Sequence, residues 1–437
     1  MTRFQSIINK EKLLSKNYLI FVLLTITFGL FVLFSGSSPA NFNLTVQELT
    51  NYEILGMDRF QWYTKTGKRA FTDGEKPPLI EDISMLDAYE FDVEYSISIT
   101  TPGKYKAIVY CRYFDESGKE VLPAFQSYNF PEYVVNCEKR QGAKRVSVSG
   151  QEDGNYTTPI EMIDRTKREY HHELSFCLSP IYGDEPKWLL LSEVVEHYKL
   201  QGATHSYFYI FHSDAYSMAV VNDYVKAGEA TVIRLVERNQ RADLEWQMVG
   251  IRDCTLRNRF ESKWIIVADL DERLLMTDYS GTLVEYLRTM NDYKTGSIQF
   301  RQQWIMKTER MPDKYEGEKQ IDEWSPTLRW HNSSAFGPPG HTSKCIIMPE
   351  KVFAMAVHFV ELFYPGFKTR ELAPEQGIVR HYRDLQMGNW GNTWLKDVLE
   401  FGPMSMTDYP RKYQRNLTDA VKKRLHHVYN DNGRLNK

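Results

Sequence analysis

The chain has 437 residues, a formal net charge of −3 and 14% aromatic residues. This length exceeds one ordinary domain and is short for three. The near-neutral charge and the lack of a basic stripe argue against a nucleic-acid-binding protein.

The N-terminal segment predicts a membrane anchor. Residues 18–34 form an uncharged apolar run of about the minimum length for a membrane-spanning helix. Residues 1–17 carry four basic residues against one acidic residue, which predicts a cytoplasmic tail and a lumenal remainder. A cleaved signal peptide is the alternative, because the small residues Ser38-Pro39-Ala40 leave cleavage open, although its apolar core should be shorter.

Sequons and cysteines support the lumenal orientation. Glycosylation acceptor triplets begin at Asn43, Asn155, Asn332 and Asn416. The five cysteines lack C-x-x-C metal spacing, and an oxidising lumen predicts one or two disulfides with one thiol left over. Cys111 with Cys137 is the favoured pair, because both lie in one β-rich region, although sequence alone leaves the connectivity open.

Composition and pattern divide the lumenal part into five segments. Residues 35–87 form a polar stem, and alternating apolar residues over 88–137 predict a small antiparallel β unit. Residues 138–172 are rich in glycine and charge and are interpreted as a linker. Residues 173–405 form the main domain, and 406–437 a basic amphipathic tail with a solvated face.

The main domain alternates between strand and helix patterns. Short apolar runs at 174–178, 206–211, 230–235 and 263–268 predict buried strands, and three amphipathic helical patterns separate them. Repeated βα units of this length predict an α/β fold with a largely parallel, Rossmann-like sheet.

Asp269 and Asp271 follow directly on the fourth predicted strand. Ligands of α/β sheets gather at the carboxyl ends of strands, and two carboxylates one residue apart repel each other unless a cation lies between them. Carboxylate oxygens and substrate phosphates suit a hard divalent cation. An isolated pair often only caps a turn and the next helix, but three preceding βα units favour a metal–diphosphate site.

This context predicts transfer from a nucleotide-sugar, with a metal stabilising the leaving diphosphate at Asp269 and Asp271. A histidine at the end of a later strand would complete the metal shell. His358 is the first choice and His381 the second, and a hydrogen-bonded structural role is equally open for each. Further nucleotide contacts are expected from strand ends and the helix before the Asp pair, at Ser179, Lys187, Asp253 and Arg257, with Asp269.

Two other protein classes remain open. A phosphatase of the haloacid dehalogenase type also places an Asp-x-Asp motif after a strand, but it prefers Thr or Val two residues past the second Asp. Here Glu272-Arg273 follows, and three βα units precede the motif. The non-enzyme alternative is a lumenal glycan-binding protein that keeps a transferase fold without activity.

Residues from about 172 to 400 resemble glycosyltransferase family 92. Collinear segments carry the resemblance: 177–183, 185–188, 196–205, 262–264 leading into 269–273, 329–332, 337–341 and 380–383. The resemblance implies a type II Golgi membrane protein with a GT-A fold, a UDP-sugar donor and a divalent metal such as Mn²⁺. It also implies inverting transfer of galactose in β-1,4 linkage to glycans, including fucose of N-glycans.

An inverting transfer needs a general base, usually a carboxylate. Asp322, Glu323, Glu361 and Glu375 follow the Asp pair in the chain. Glu323 is preferred, because it lies in the aromatic region 307–341, where we expect the acceptor to bind. A solvated surface carboxylate is the alternative interpretation of Glu323.

Overall fold

The computed structural model describes residues 61–63, 80, 82–101, 106–236, 246–385 and 390–431. The predicted tail and anchor (1–34) and most of the predicted stem lie outside these residues. Within the described ranges, no helix is both long and apolar enough to cross a bilayer.

Two four-stranded sheets form the N-terminal part of the described chain. Their strands are β1 (Ser84–Glu90), β2 (Glu94–Thr100), β3 (Ile108–Phe114), β4 (Phe125–Tyr128), β5 (Val134–Glu138), β6 (Arg145–Ser149), β7 (Ile160–Glu161) and β8 (Ile163–Asp164). The sheet orders are β5-β2-β1-β8 and β4-β3-β6-β7, and their apolar faces share one core.

This β unit corrects one expectation and confirms another. Residues 138–172, interpreted as a linker, contain β6 to β8, and β6 pairs along β3. The linker interpretation failed because the strands are short and separated by glycine-rich and charged turns. The favoured disulfide between Cys111 and Cys137 is present and joins β3 to β5 within the core.

The second part of the chain is built on an eleven-stranded mixed sheet. The strands of this part, including the separate β17–β18 hairpin, are β9 (His172–Ile181), β10 (His205–Ile210), β11 (Ala230–Arg234), β12 (Ser262–Ala268), β13 (Glu272–Met276), β14 (Thr295–Lys307), β15 (Asn332–Ser333), β16 (Lys344–Ile347), β17 (Val352–Met355), β18 (Val360–Phe363), β19 (Lys368–Glu371), β20 (Gly377–Asp384) and β21 (Ser405–Met406). The helices are α1 (Trp188–Leu200), α2 (Ala215–Lys226), α3 (Trp246–Asn258), α4 (Leu283–Arg288), α5 (Glu318–Trp324), α6 (Pro326–Arg329), α7 (Trp390–Glu400) and α8 (Arg411–His426), and a π-helical turn follows at His427–Asp431.

The first half of this sheet confirms the predicted parallel α/β arrangement. Strands β11, β10, β9 and β12 lie side by side in that order, and all three pairings are parallel. The chain leaves β9 towards β10 and β11, and then returns through α3 to β12 on the other side of β9. The carboxyl ends of β9 and β12 therefore flank the topological switch point, where α/β sheets bind ligands.

Helix α1 shows how the sequence places this layer. It is the first of the three predicted amphipathic helices, and Leu189, Val194 and Tyr198 face the sheet core as the helical spacing requires. Gly202 ends the segment with φ +96°, and a Cβ there would lie 2.2 Å from Cγ1 of Val284. Only glycine fits both this backbone conformation and this close approach of α4.

The region after the Asp pair differs from the sequence prediction. The apolar runs at 297–300 and 304–306 belong to one strand, β14, which pairs with β16 in its first half and β20 in its second. The aromatic region 307–341, in which the sequence analysis predicts no regular elements, contains α5, α6 and β15. Strand β13, absent from the prediction, pairs antiparallel with β20 and brings Glu272 opposite His381.

Candidate functional site

The Asp pair lies at the carboxyl end of β12, next to β9. The side chains of Asp269 and Asp271 are 27% and 26% exposed, so both are partly accessible to a ligand. Tyr382 of β20 donates its backbone N–H to the carbonyl of Asp271 at 2.8 Å. The turn that carries the pair is thus tied to β20 by its backbone.

Asp271 forms an ion pair with His381. Nε2 of His381 lies 3.1 Å from Oδ2 of Asp271. Burial raises the pKa of Asp271, but His381 and then Arg383 outweigh it, so the pKa lies well below its usual range. Burial lowers the pKa of His381, but the Asp271 carboxylate outweighs it and the pKa is raised. Each group therefore favours the charged form of the other.

Asp269 is paired with a different cation, Lys344 at the start of β16. Nζ of Lys344 lies 2.8 Å from Oδ2 of Asp269 and 3.3 Å from Oε2 of Glu272. Although burial disfavours the charged lysine, the two carboxylates raise its pKa. Nε2 of Gln247 on α3 donates to Oδ1 of Asp269 at 3.1 Å. Both oxygens of Asp269 are thus fixed in orientation.

Glu272 contacts both ion pairs, Asp269–Lys344 and Asp271–His381. Its side chain is 1% exposed, and its Oε2 accepts the backbone N–H of Asp269 at 2.8 Å. Its Oε1 lies 3.4 Å from Nδ1 of His381. Burial raises the pKa of Glu272 to about 7, even though Lys344 opposes the shift. Glu272 is therefore placed to orient Lys344 and His381 rather than to contact a substrate.

Arg273 fixes the turn itself. Its guanidinium is fully buried against Glu193 at 3.2 Å, and Nη1 donates to the carbonyl of Leu270 at 2.9 Å. Leu270 is the residue between the two aspartates. A buried ion pair of this kind, with further hydrogen bonds, holds the backbone of the motif in one conformation.

His358, the first choice for the metal shell, lies in the turn after β17. Its Nδ1 is 3.2 Å from the carbonyl of Ser343, one residue before Lys344. Burial, and then Lys344, lower the pKa of His358 to about 4, so the ring is neutral at physiological pH. A neutral ring that donates from Nδ1 carries its lone pair on Nε2, which suits metal binding.

The chemistry of this donor set fits a divalent cation that is held partly by substrate. Asp271 offers a partly exposed carboxylate oxygen, and the mostly buried His381 offers Nε2 once a bound cation displaces its proton. Among the described residues, no three His, Cys, Asp or Glu side chains form a complete metal-binding group. Divalent cations in phosphate-transfer sites commonly use one or two protein ligands and complete their shell with phosphates and water.

Of the predicted nucleotide contacts, Ser179 lies near the Asp pair and Lys187 lies in the loop after β9. The hydroxyl of Ser179 is close enough to Asp269 to help lower its pKa, after the larger effects of burial and Lys344. Nζ of Lys187 donates to the carbonyls of Gly183 at 3.1 Å and Glu185 at 2.9 Å. Lys187 is 6% exposed, and it braces the loop after β9 instead of projecting into the cleft.

The expected nucleotide contacts at Asp253 and Arg257 are corrected by the structure. Asp253 is fully buried on the side of α3 that faces the β unit, where it accepts hydrogen bonds from the hydroxyls of Tyr89, Ser98 and Tyr209. Arg257 binds Asp253 at 3.2 Å and also pairs with Asp87 of β1. The expectation rested on the position of α3 before the strand that carries the Asp pair, and that position does not indicate that the β unit covers this face of the helix.

Three of the four carboxylates considered as general base lie on elements that make none of the described contacts with the Asp pair. Glu323 is on the outer face of α5, with its side chain 54% exposed and paired with Lys319 at 3.6 Å. Asp322 pairs with Lys422, and Glu361 with Arg252. The contacts described around Asp269 and Asp271 come from other segments, so the position of Glu323 does not support a catalytic role.

Several groups around the Asp pair were not predicted from sequence. They are Gln247, Glu272, Lys344 and Arg383, with Tyr182 after β9. Glu272 was visible inside the charged motif, but Lys344 requires the antiparallel register of β16, which no local pattern encodes. Phe211, 51% exposed after β10, packs on Trp246 at 5.2 Å and adds an aromatic surface to this edge of the sheet.

Comparisons with known proteins identify the family to which the chain belongs. The sequence model of glycosyltransferase family 92 matches residues 172–417, more than half of the chain. A curated relative, the beta-1,4-galactosyltransferase galt-1 of Caenorhabditis elegans, is 24% identical over 270 residues. The match covers 58% of this chain and 60% of the relative, so the chain spans less than two thirds of the protein it resembles.

Two solved structures show weaker similarity. A mannosyltransferase from Pyrobaculum calidifontis in complex with GDP-Man and Mn²⁺ is 9% identical, with 60% of this chain and 75% of that chain covered and a TM-score of 0.27. A mycobacterial protein is 11% identical, with 60% and 76% covered and a TM-score of 0.24. Scores this low add nothing to what the strand order shows.

Proposed function

We propose that this protein, which belongs to glycosyltransferase family 92, transfers a hexose from a nucleotide-sugar to a glycan. The finer proposal is an inverting, metal-dependent transfer of galactose from UDP-galactose, in β-1,4 linkage, to an acceptor such as fucose of N-glycans. The name of the C. elegans relative supports the sugar and the linkage. Family membership leaves the phosphatase alternative without support.

One observation carries the proposal. The Asp269–Asp271 turn lies at the switch point of a parallel α/β sheet, and each aspartate is already paired with a cation from a distant strand. Such a turn is expensive to build from buried charges, and Glu272 and Arg273 have no other evident task than to hold it. A capping role alone would not require this supporting set.

Asp271 and His381 would hold the divalent cation, with His358 as the third candidate ligand and Mn²⁺ the preferred ion. When bound, the cation supplies Lewis-acid stabilisation of the leaving nucleoside diphosphate. Asp269 stays oriented by Lys344 and Gln247, so it is available to a donor hydroxyl or to the cation.

The other groups near the Asp pair bind and orient the donor. Arg383 of β20 lies close enough to Asp271 to lower its pKa, and its positive charge suits a diphosphate. Tyr182 lies near both aspartates and is 67% exposed, so its ring and hydroxyl can contact the donor. Phe211 with Trp246 offers a flat apolar surface on which a nucleobase can stack.

The proposed location is the Golgi membrane, with a single N-terminal helix and a lumenal catalytic domain. The predicted anchor at 18–34 lies outside the described residues. The asparagines of the three sequons that the structure describes, Asn155, Asn332 and Asn416, are all exposed, as glycosylation requires. Endoglycosidase treatment and alkaline carbonate extraction of the expressed protein test the two parts of this proposal.

The direct test is a UDP-release assay on the purified full-length protein in detergent, with several UDP-sugars and neutral glycan acceptors. We expect release that requires Mn²⁺, is abolished by chelator and is fastest with UDP-galactose. A protein that binds glycans but releases no UDP from any donor would instead be the inactive glycan-binding protein considered above.

A further inference from the structure

An open pocket lies on the strands that follow the Asp pair in the chain, where β14 is separated from β12 by β16. Its volume is about 210 Å³, smaller than the usual site of a drug-sized ligand, and it is open to solvent. It is lined by Gln299 and Arg301 of β14, by Glu371 at the end of β19, by Leu372 and Ala373, and by the loop residues Pro339 and Gly340. The strands fix its place, because β14 and β19 are parallel and Gln299 pairs with Glu371.

The lining has the chemistry of a neutral sugar site. One guanidinium, Arg301, and one carboxylate, Glu371, face the pocket with the amide of Gln299, so the lining has no net charge and both donors and acceptors. Pro339, Leu372 and Ala373 add apolar surface that fits the C–H face of a pyranose ring. An anionic ligand such as a diphosphate would favour several cations and no carboxylate.

Hydrogen bonds fix the walls of the pocket. Nε of Arg301 donates to the carbonyl of Gly337 at 2.9 Å, which ties the Gly337–Gly340 loop to β14. The backbone N–H of Leu372 donates to the carbonyl of Gln299 at 2.9 Å, which closes the other wall. Its walls are therefore held by the sheet and do not depend on a mobile side chain.

Short links connect the pocket to the proposed donor site. Nε2 of Gln299 donates at 3.1 Å to the carbonyl of His358, and the side chain of Gln302 contacts the ring of His381. Gln302 follows Arg301 on β14, so one strand carries both the pocket lining and the contact to His381, with the two side chains on opposite faces.

We infer that this pocket binds a neutral oligosaccharide and is the acceptor subsite of the proposed transferase. The assignment as an acceptor subsite rests on the proposed function, whereas the binding of a neutral glycan is independent of it. Glu371 and Arg301 recognise sugar hydroxyl groups, and Pro339 with Ala373 provides the surface under the ring.

The test compares two substitutions of exposed alanines in the full-length protein. Ala373→Trp fills the pocket, whereas Ala227→Trp places the same side chain after α2, at the opposite end of the strands. Glu371→Gln removes the carboxylate without changing its size, and Arg370→Gln is its control on the same strand, outside the pocket lining. Binding is measured on an array of neutral N-glycan oligosaccharides, and UDP release is measured without acceptor.

We expect wild type and both controls to bind the array alike. Ala373→Trp should lose binding, Glu371→Gln should weaken it at least 10-fold, and UDP release to water should stay within 2-fold of wild type. Equal binding by Ala373→Trp, or no binding by wild type, would overturn the inference. Pocket-dependent binding by a protein that releases no UDP would uphold the subsite and defeat the proposed transfer.

Discussion

Nε2 of His381 lies 3.1 Å from Oδ2 of Asp271, although 110 positions separate the two residues in the chain. Strand β13 follows directly on Asp271 and pairs with β20, so the backbone register creates the contact. The pair combines the oxygen of a partly exposed carboxylate with the nitrogen of a mostly buried imidazole. It is therefore the part of the site where loss of a single side chain should reveal metal chemistry.

Asp271→Asn should abolish metal-dependent transfer and leave folding intact. The amide keeps the size of the carboxylate but loses its charge and much of its affinity for a cation. We expect UDP release to fall at least 100-fold, with a thermal midpoint close to wild type. Asp278→Asn, an exposed aspartate seven residues further on, is the matched control. Full turnover by Asp271→Asn would exclude this residue as a metal ligand.

Substitution of the two candidate histidines should separate their roles. His381→Gln should raise the Mn²⁺ concentration for half-maximal activity about 10–100-fold, the usual cost of disturbing the ligands or their supports. If His358 is also a ligand, His358→Gln should produce a comparable rise. The control is His331→Gln, whose ring bonds the carbonyl of Leu328 away from the cleft. If the Mn²⁺ titration is unchanged in both variants, neither histidine is a metal ligand.

Lys344→Met should destabilise the protein. The substitution removes the cation that the structure places between the Asp269 and Glu272 carboxylates, and Glu272 is fully buried. Breaking a buried ion pair costs up to about 3–5 kcal/mol, and protonation of Glu272, whose pKa is already about 7, relieves part of that cost at neutral pH. Urea unfolding followed by tryptophan fluorescence measures the loss, with the exposed Lys294→Met as control. Adding Glu272→Gln to Lys344→Met should recover part of it, and failure to do so would contradict this pairing.

Local pattern predicted the elements that local contacts determine. Helix α1 and strand β12 have the predicted positions, because their apolar spacing and their stop residues lie within a few residues of each element. Asp269 and Asp271 were found because a strand end after three βα units is a sequence pattern.

The remaining parts of the site depend on long-range register. Lys344 reaches Asp269 only because β16 runs antiparallel beside β12, and His381 reaches Asp271 only through β13. Asp253 was assigned to the nucleotide because its helix precedes the metal strand. Nothing in that helix indicates that Tyr89, 164 positions earlier in the chain, would cover it.

The contact between the β unit and the α/β domain should be pH-dependent through Asp87. Asp87 pairs with Arg257 and lies near the buried Asp253. Burial, and then the Asp253 carboxylate, raise the pKa of Asp87 to about 6, above the value of about 3.9 for an unfolded chain. The folded protein therefore binds this proton more tightly, and folding gains stability as the pH falls from about 7 towards 4.

Asp87→Asn resembles the protonated acid at every pH and should lack this gain. We expect the variant to be more stable than wild type at pH 7.5, by about 1–3 kcal/mol for a shift of this size, and the difference to shrink towards pH 4. Asp153→Asn, an exposed aspartate of the same β unit, controls for general charge removal. Unfolding midpoints at several pH values provide the measurement. A variant less stable than wild type at pH 7.5 would show instead that the ionised Asp87 stabilises this contact through Arg257, and a difference that stays constant across the range would show that titration of Asp87 is not linked to folding.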